Sequence, residues 1–230
     1  GELSTNNGTG VTGDVSTFDG GYSYKIKSSV STIVTLSGKM HDIAENPIAL
    51  QNGWNWISYP HYENCSLATA ITNAQEGDFI VSHTGFAQYV AGDWVGTVEN
   101  LEVGQGYLYK SVSAKNLAYD FSASAVPDGD EWEETADVDI RKYPHTMNVV
   151  AVVEDRTGAL DAEACRVIAL VGSEQRGVSK CIDGKHFITV YGEDAAKVSF
   201  VVEDEVSGER YLINEAMTFA SDVVGCVNEP

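Results

Sequence analysis

The apolar residues of this chain come in short runs separated by turn-forming residues. The runs are rich in Val, Ile, Thr, Tyr and Trp, and they end at Gly, Asn, Asp or Pro; residues 54–59 and 197–202 are examples. β-Branched and aromatic side chains suit a pleated, half-buried surface, and the residues between the runs favour turns. Short strands at this spacing are typical of sandwiches and barrels. The sequence therefore predicts a mainly all-β chain of two consecutive antiparallel β-sandwich-like domains.

One segment has the period of a helix instead. Apolar residues fall at positions 67, 70, 71 and 74, with Asn64 or Ser66 as the N-cap and Gln75-Glu-Gly77 at the end. Apolar side chains at this spacing share one face of a helix. We therefore expect one short helix near residues 66–75 in the first domain.

A domain boundary follows Phe121. The next residues are Ser-Ala-Ser-Ala-Val-Pro-Asp-Gly-Asp, and small residues with Pro and Gly are typical of linkers. We predict a β domain over residues 1–126, an acidic linker over 127–140 and a β-sandwich domain over 141–230.

The first domain contains an internal repeat. Gly21-Tyr-Ser-Tyr-Lys25 recurs as Gly106-Tyr-Leu-Tyr-Lys110. Repeated patterns indicate modules that occur in tandem. We interpret residues from about 20 to 45 as the tail of a preceding repeat and residues 47–121 as one full repeat unit. Chance similarity over five residues is the alternative.

The charge of the chain excludes one class of partner. There are 14 Lys and Arg against 34 Asp and Glu, a formal net charge of −20. Nucleic acid binding needs cations clustered on one face to neutralise phosphates, so we expect no nucleic acid partner. Apolar runs of about 20 residues, which spanning a bilayer requires, are absent from the sequence. We therefore expect no membrane insertion.

Two of the four cysteines lie in adjacent strand-like runs. A hairpin with its turn at residues 172–175 places Cys165 opposite Cys181. Cross-strand Cβ atoms lie about 4.5–5.5 Å apart, close to what a disulfide requires. The pair is therefore a disulfide candidate, with two buried thiols as the alternative. The cysteines and histidines show no CxxC or HxxxH spacing, which argues against a structural zinc site.

An acidic cluster occupies residues 128–139, with seven carboxylates and no cation. Calcium is bound by oxygen ligands of this kind, which makes Asp128, Asp130, Asp137 and Asp139 a candidate calcium site. The spacing does not match an EF-hand. A solvated linker explains the cluster equally well.

The aromatic residues are the candidate ligand-binding groups. Trp54 and Trp56 alternate with Asn55, so that both indoles lie on one face of a strand. Together with Tyr89 and Trp94 they are candidates for a platform on which flat sugar rings stack. Burial in the core is the alternative, which we favour for Trp54 and Trp56 because tryptophans anchor small β-domains. We expect Trp94, which lies at a hairpin tip, to be more exposed than Trp54 and Trp56.

The run Leu-Gln-Asn-Gly-Trp-Asn-Trp-Ile-Ser-Tyr-Pro at residues 50–60 resembles a recurrent module of secreted, multidomain surface proteins of Bacteroidota. The module continues with Gly77-Asp-Phe-Ile80, Gly85-Phe-Ala-Gln-Tyr89 and a closing Gly-Tyr-Leu-Tyr at residues 106–109. The second half is similar to the domain that often follows it. The resemblance implies an extracellular, non-catalytic appendage on the bacterial cell surface, accompanied by other domains of a longer chain.

Sequence signatures of enzymes are absent: there is no G-x-S-x-G, H-E-x-x-H or P-loop. We therefore expect a non-catalytic binding or adhesion module that recognises a glycan or a host surface protein. The alternative is a structural spacer or stalk that projects a partner domain. A hydrolase whose site assembles from distant residues is the least favoured interpretation.

Overall fold

The structure is a computed structural model, which describes residues 4–6, 11–15, 17–31, 33, 35, 37–121, 138–154 and 160–230. Almost all of its regular structure is β-strand, which confirms the all-β fold class. None of the helices in these ranges has the length and apolar character needed to cross a bilayer.

Before residue 122 the elements are β1 (Ser4–Asn6), β2 (Val11–Gly13), β3 (Ala49–Leu50), β4 (Gly53–Ser58), β5 (Cys65–Ser66), α1 (Leu67–Ala70), β6 (Phe79–Val81), β7 (Phe86–Val90), β8 (Asp93–Gly96), β9 (Asn100–Leu101), β10 (Gly106–Ser111) and β11 (Lys115–Asn116). After residue 137 they are β12 (His145–Ala151), β13 (Cys165–Val171), β14 (Glu174–Ile182), β15 (Lys185–Gly192), β16 (Lys197–Asp204), β17 (Arg210–Thr218) and β18 (Val223–Val224), with 3₁₀ turns at Ile140–Lys142 and Ala162–Ala164. We call these two parts the first and the second domain.

The first domain is organised around a five-stranded antiparallel sheet in the order β4-β10-β6-β7-β8. Side chains alternate between the faces of a strand, so the sheet contributes to two cores. On one face, Ile57, Ile80 and Tyr109 pack with residues of α1 and the surrounding loops. On the other face, Phe79 and Phe86 belong to a separate apolar cluster. Strand β4 lies at the edge of the sheet.

The second domain is a seven-stranded sheet in the order β17-β16-β13-β14-β15-β12-β18, antiparallel except between β12 and β18. Strand β14 pairs with β13 as far as Val178 and with β15 from Ser179 onward, so it joins two halves of the sheet. Gly177 lies at this change of partner, where an added Cβ would approach the Thr189 carbonyl oxygen to 2.4 Å. The apolar core includes residues from both halves, such as Val167 of β13 and Ile188 of β15.

The two domains share an apolar core. Phe79, Val81, Phe86 and Val90 of the first domain cluster with Val150, Phe187 and Val227 of the second. The rings of Phe86 and Phe187 have centroids 5.5 Å apart. A buried hydrogen bond from the Val227 amide to Gln88 Oε1, at 2.8 Å, crosses the same interface. The domains therefore form one continuous body.

The predicted helix is right in position but too long. It covers Leu67–Ala70, and not residues 66–75. Ile71 adopts an extended conformation and forms a β-bridge with Tyr119, and the amide of Thr72 donates to the carbonyl of Ala118. The backbone of residues 71 and 72 therefore pairs with that of Ala118 and Tyr119 and does not continue the helix.

The two copies of the repeat differ in structure. Gly106–Ser111 is a core strand, and Tyr107 and Tyr109 are 2% and 0% exposed. No described residue between 17 and 46 lies in a strand, and Tyr22 and Tyr24 are 53% and 38% exposed. The first copy nevertheless contacts the sheet, since the Ser58 amide donates to the carbonyl of Gly21. The interpretation of residues from about 20 to 45 as the tail of a preceding repeat stays a prediction.

His186 of the second domain makes stability depend on pH. Its side chain is fully buried opposite Cys181, and Nδ1 lies 3.0 Å from Ser179 Oγ. Burial lowers the pKa of His186, with a smaller opposing effect from the Ala162 carbonyl. The histidine is therefore neutral in the folded state but takes up a proton in the unfolded state below about pH 6.5.

The contribution of His186 to the free energy of unfolding should therefore be fully present above about pH 6.5. It should fall at lower pH, by up to about 1.4 kcal/mol per pH unit. We expect His186→Leu to reduce that slope between about pH 6.5 and pH 5. Urea unfolding at several pH values measures it, with exposed His145→Leu as the control. Equal slopes for the wild type and His186→Leu would contradict the assignment.

Candidate functional site

Two exposed indoles lie on edge strand β4. Trp54 and Trp56 are 36% and 48% exposed, whereas Ile57, on the opposite face, is fully buried. Asn55 between them fixes the start of the strand, because its Nδ2 donates to the carbonyls of Gln51 at 2.9 Å and Gly53 at 2.7 Å. The predicted arrangement on one face is therefore present, but the favoured expectation that both indoles are core residues is wrong.

Charged groups hold Trp54 in place. Its Nε1 donates to Asp222 Oδ1 at 3.3 Å, and Lys110 Nζ donates to the same oxygen at 3.1 Å. Lys110 Nζ also lies 5.2 Å from the centroid of the indole. Burial disfavours ionisation of Asp222, but hydrogen bonds from the Val223 amide and from Lys110 outweigh it and lower the pKa of the carboxyl. The second domain thus contributes a fixed carboxylate to the surface around Trp54.

Trp56 is the next side chain on the same face of β4, and its indole forms no hydrogen bond with the described residues. It pairs with Leu108 of β10, and Trp54 pairs with Lys110. Residues two apart on a strand are separated by about 6.6 Å. The two exposed indoles are therefore neighbours on one face of β4, and we call them the indole pair.

Tyr89 and Trp94 lie apart from the indole pair. They are cross-strand neighbours on β7 and β8, with ring centroids 5.3 Å apart in an edge-to-face arrangement. Trp94 is half-buried and packs against the first-domain core, 6.1 Å from the ring of Tyr109. It lies on the sheet face opposite to the indole pair, so the four predicted aromatics do not form one platform.

A polar cleft of about 420 Å³ lies between the turn joining β6 and β7, the loop around β9 and the second domain. Its lining includes His83, Asn100, Glu102 and Gln105, together with Lys180 of β14. The sequence patterns described above do not predict this cleft. No local pattern marks it, because its walls come from separate segments and from both domains.

The calcium prediction falls mostly on residues that are not described. Asp128, Asp130 and Asp137 lie outside the described ranges, and Asp139 is exposed just before the 3₁₀ turn Ile140–Lys142. Over the described residues, no group of three or more His, Cys, Asp or Glu side chains could hold a metal ion. The calcium site stays a prediction.

The predicted disulfide is not formed, because all four cysteines are free. The β13–β14 ladder has a bulge between Ala169 and Leu170, matches the expected register at Ala169–Gly177 and Ile168–Val178, and ends there. The Val167 amide then donates to Ser179 Oγ at 2.7 Å, and Cys181 pairs across with His186 of β15. Burial raises the pKa of Cys165 and of Cys181, which favours the protonated thiol at both positions.

No protein-family model matches the chain, and no curated protein or solved structure is significantly similar to it.

Proposed function

We propose that this chain is a non-catalytic binding or adhesion module at the bacterial cell surface, within a longer polypeptide, and that it binds carbohydrate through the indole pair. The observation that supports this is the exposure of Trp54 and Trp56 on one face of an edge strand. Exposed apolar surface rimmed by polar groups marks interaction sites in monomeric proteins. The apolar face of a sugar ring is complementary to an indole, and its hydroxyls require hydrogen-bonding groups at the rim.

The rim of the indole pair supplies such groups. Lys110 and Asp222 lie beside Trp54 at the junction of the domains. Their mutual hydrogen bond restrains both side chains before a ligand arrives, which reduces the entropy lost on binding. With a net charge of −20, the chain repels polyanions at long range. The expected ligand is therefore a neutral glycan of several sugar units that follows the strand.

A structural spacer is the second candidate, and the shared core of the domains favours it. Phe79 and Phe86 of the first domain and Phe187 of the second are buried together. A junction packed in this way resists bending and suits a stalk. A passive spacer, however, gives no reason for two large indoles to remain in solvent.

A glycan and mucin array tests the proposal. We expect Trp54→Ala/Trp56→Ala to lose at least about tenfold in affinity, since truncating a buried aromatic anchor costs about 2 kcal/mol or more. Tyr62→Ala is the matched control, because Tyr62 is a 69% exposed aromatic elsewhere on the first domain. Circular dichroism establishes that each variant is folded.

Array binding that survives in the double tryptophan variant contradicts the role of the indole pair. A wild-type protein with no glycan signal supports the spacer. Binding to a host protein in place of a glycan, lost in the same double variant, keeps the surface but overturns the ligand class.

A further inference from the structure

We propose that the polar cleft between the domains binds a single neutral monosaccharide unit. The cleft is separate from the indole pair, and the inference rests on the proposed function in that it assigns a second carbohydrate subsite to the same module. Its volume of about 420 Å³ lies within the range of about 300–1,000 Å³ for small-molecule sites, which often occur where domains meet.

The walls of the cleft are held by bonds within the protein. Thr97 Oγ1 accepts from the Phe86 amide at 3.1 Å, and Ser82 Oγ accepts from the Gly85 amide at 3.0 Å. The Glu102 amide donates to the hydroxyl of Tyr107 at 2.8 Å. These contacts fix the backbone on both sides of the opening, so the cleft is formed before a ligand binds.

Four polar side chains at the cleft are free of hydrogen bonds to the described part of the protein. Among the described residues, no hydrogen-bond partner is found for the side chains of His83, Asn100, Glu102 and Gln105. By contrast, Glu99 is occupied, since its Oε1 lies 3.2 Å from Lys180 Nζ. His83 and Gln105 are exposed and Asn100 and Glu102 are half-buried. An imidazole, two amides and a carboxylate at one cleft can therefore exchange hydrogen bonds with solvent for hydrogen bonds with a ligand.

This set of groups matches the hydroxyls of a sugar. Each hydroxyl donates one hydrogen bond and accepts up to two, an amide both donates and accepts, and a carboxylate accepts from two neighbouring hydroxyls. Burial and the nearby Lys25 lower the pKa of His83. The imidazole is therefore neutral near pH 7 and also offers one donor and one acceptor.

The charges around the cleft select a neutral ligand. The carboxylates of Glu99 and Glu102 oppose a bound anion, as does the net charge of −20. The ammonium of Lys180 in the wall, and that of Lys25 near His83, oppose a cation. An uncharged polyol satisfies the free groups without either repulsion.

Titration of the full ¹⁵N-labelled chain with glucose, galactose, mannose and N-acetylglucosamine, each to about 50 mM, tests the cleft at concentrations above the millimolar Kd of weak complexes. We expect at least one sugar to shift the side-chain amide signals of Asn100 and Gln105 in a saturable way. Glu102→Gln should weaken this binding at least about tenfold. The matched control, Glu45→Gln, changes an exposed carboxylate away from the cleft and should bind as the wild type does.

The proposal is overturned if none of the four sugars shifts these signals, or if Glu102→Gln and Glu45→Gln bind equally. Trp54→Ala/Trp56→Ala should keep the cleft response. If the protein binds glycans on the array but no sugar shifts the amide signals of Asn100 and Gln105, this inference alone is overturned. If a sugar shifts these signals but no glycan on the array is bound, this inference is supported and the result counts against the indole pair.

Discussion

Replacing Asp78 by Ala should lower the free energy of unfolding by about 3–5 kcal/mol, the cost of breaking a buried ion pair from one side. The Asp78 carboxylate is fully buried, and its Oδ2 accepts from the Tyr109 hydroxyl at 2.6 Å and from Lys115 Nζ at 2.5 Å. The amides of Gln75 and Val112 donate to its two oxygens at 2.8 and 2.9 Å. The substitution leaves a cation and three donors without their acceptor in a buried site.

The role of the charge can be separated from that of the hydrogen bonds. Asp78→Asn keeps an acceptor oxygen and should cost less than Asp78→Ala. Lys115→Met removes the cation but keeps an apolar stem, and we expect it to cost less in the Asp78→Asn background than in the wild type. Urea unfolding followed by tryptophan fluorescence measures each free energy. A decrease in the free energy of unfolding of less than about 1 kcal/mol for Asp78→Ala would contradict a stabilising role for the buried hydrogen bonds and ion pair of Asp78.

Phe86→Ala should cost about 3–5 kcal/mol and also uncouple the two domains. Phe86 is fully buried against Phe187, in the apolar cluster that both domains share. Calorimetry should give one transition for the wild type and two for Phe86→Ala, because the first and the second domain each have a core of their own.

Phe121→Ala is the control for that experiment. Phe121 packs against the first-domain core and stacks on His61 with centroids 4.6 Å apart, away from the shared cluster. Its loss should lower the transition temperature without splitting the transition. Two well-separated transitions in the wild-type protein would contradict the view that the domains form one body.

Local features of the fold could be predicted from the sequence, because they depend on neighbouring residues. Alternating apolar residues predicted strands such as β4 and placed Trp54 and Trp56 on one face. The turn signal at residues 172–175 predicted the β13–β14 hairpin, although Glu174 and Gln175 belong to β14 and the predicted register holds only at Ala169–Gly177 and Ile168–Val178, beyond a bulge. The helix start was correct, and its end was not, because a backbone segment about 50 residues away pairs with Ile71.

What could not be predicted depends on contacts between distant segments. Alternation shows that two side chains share a face, but it does not show whether another element covers that face. Trp54 and Trp56 stay exposed because β4 lies at the sheet edge, whereas Phe79 and Phe86 on the same face are covered by the second domain. The cysteine pairing failed for a similar reason, since β14 exchanges β13 for β15 after Val178.

The cleft shows the same limit. Asn100, Glu102 and Gln105 belong to a segment whose pattern indicates strands and turns, and Lys180 belongs to the other domain. Their proximity is a property of the domain interface, which composition and periodicity do not determine. The contribution of Asp222 to the surface around Trp54 arises in the same way, across 168 residues of sequence.

The most direct measurement is a titration of the ¹⁵N-labelled protein with a glycan that the array identifies, observed at the indole N–H signals. The chain has four tryptophans, and so four such signals. We expect the signals of Trp54 and Trp56 to shift and saturate together, while that of Trp94, which packs against the core, stays in place. A bound glycan that leaves Trp54 and Trp56 unshifted would contradict this expectation.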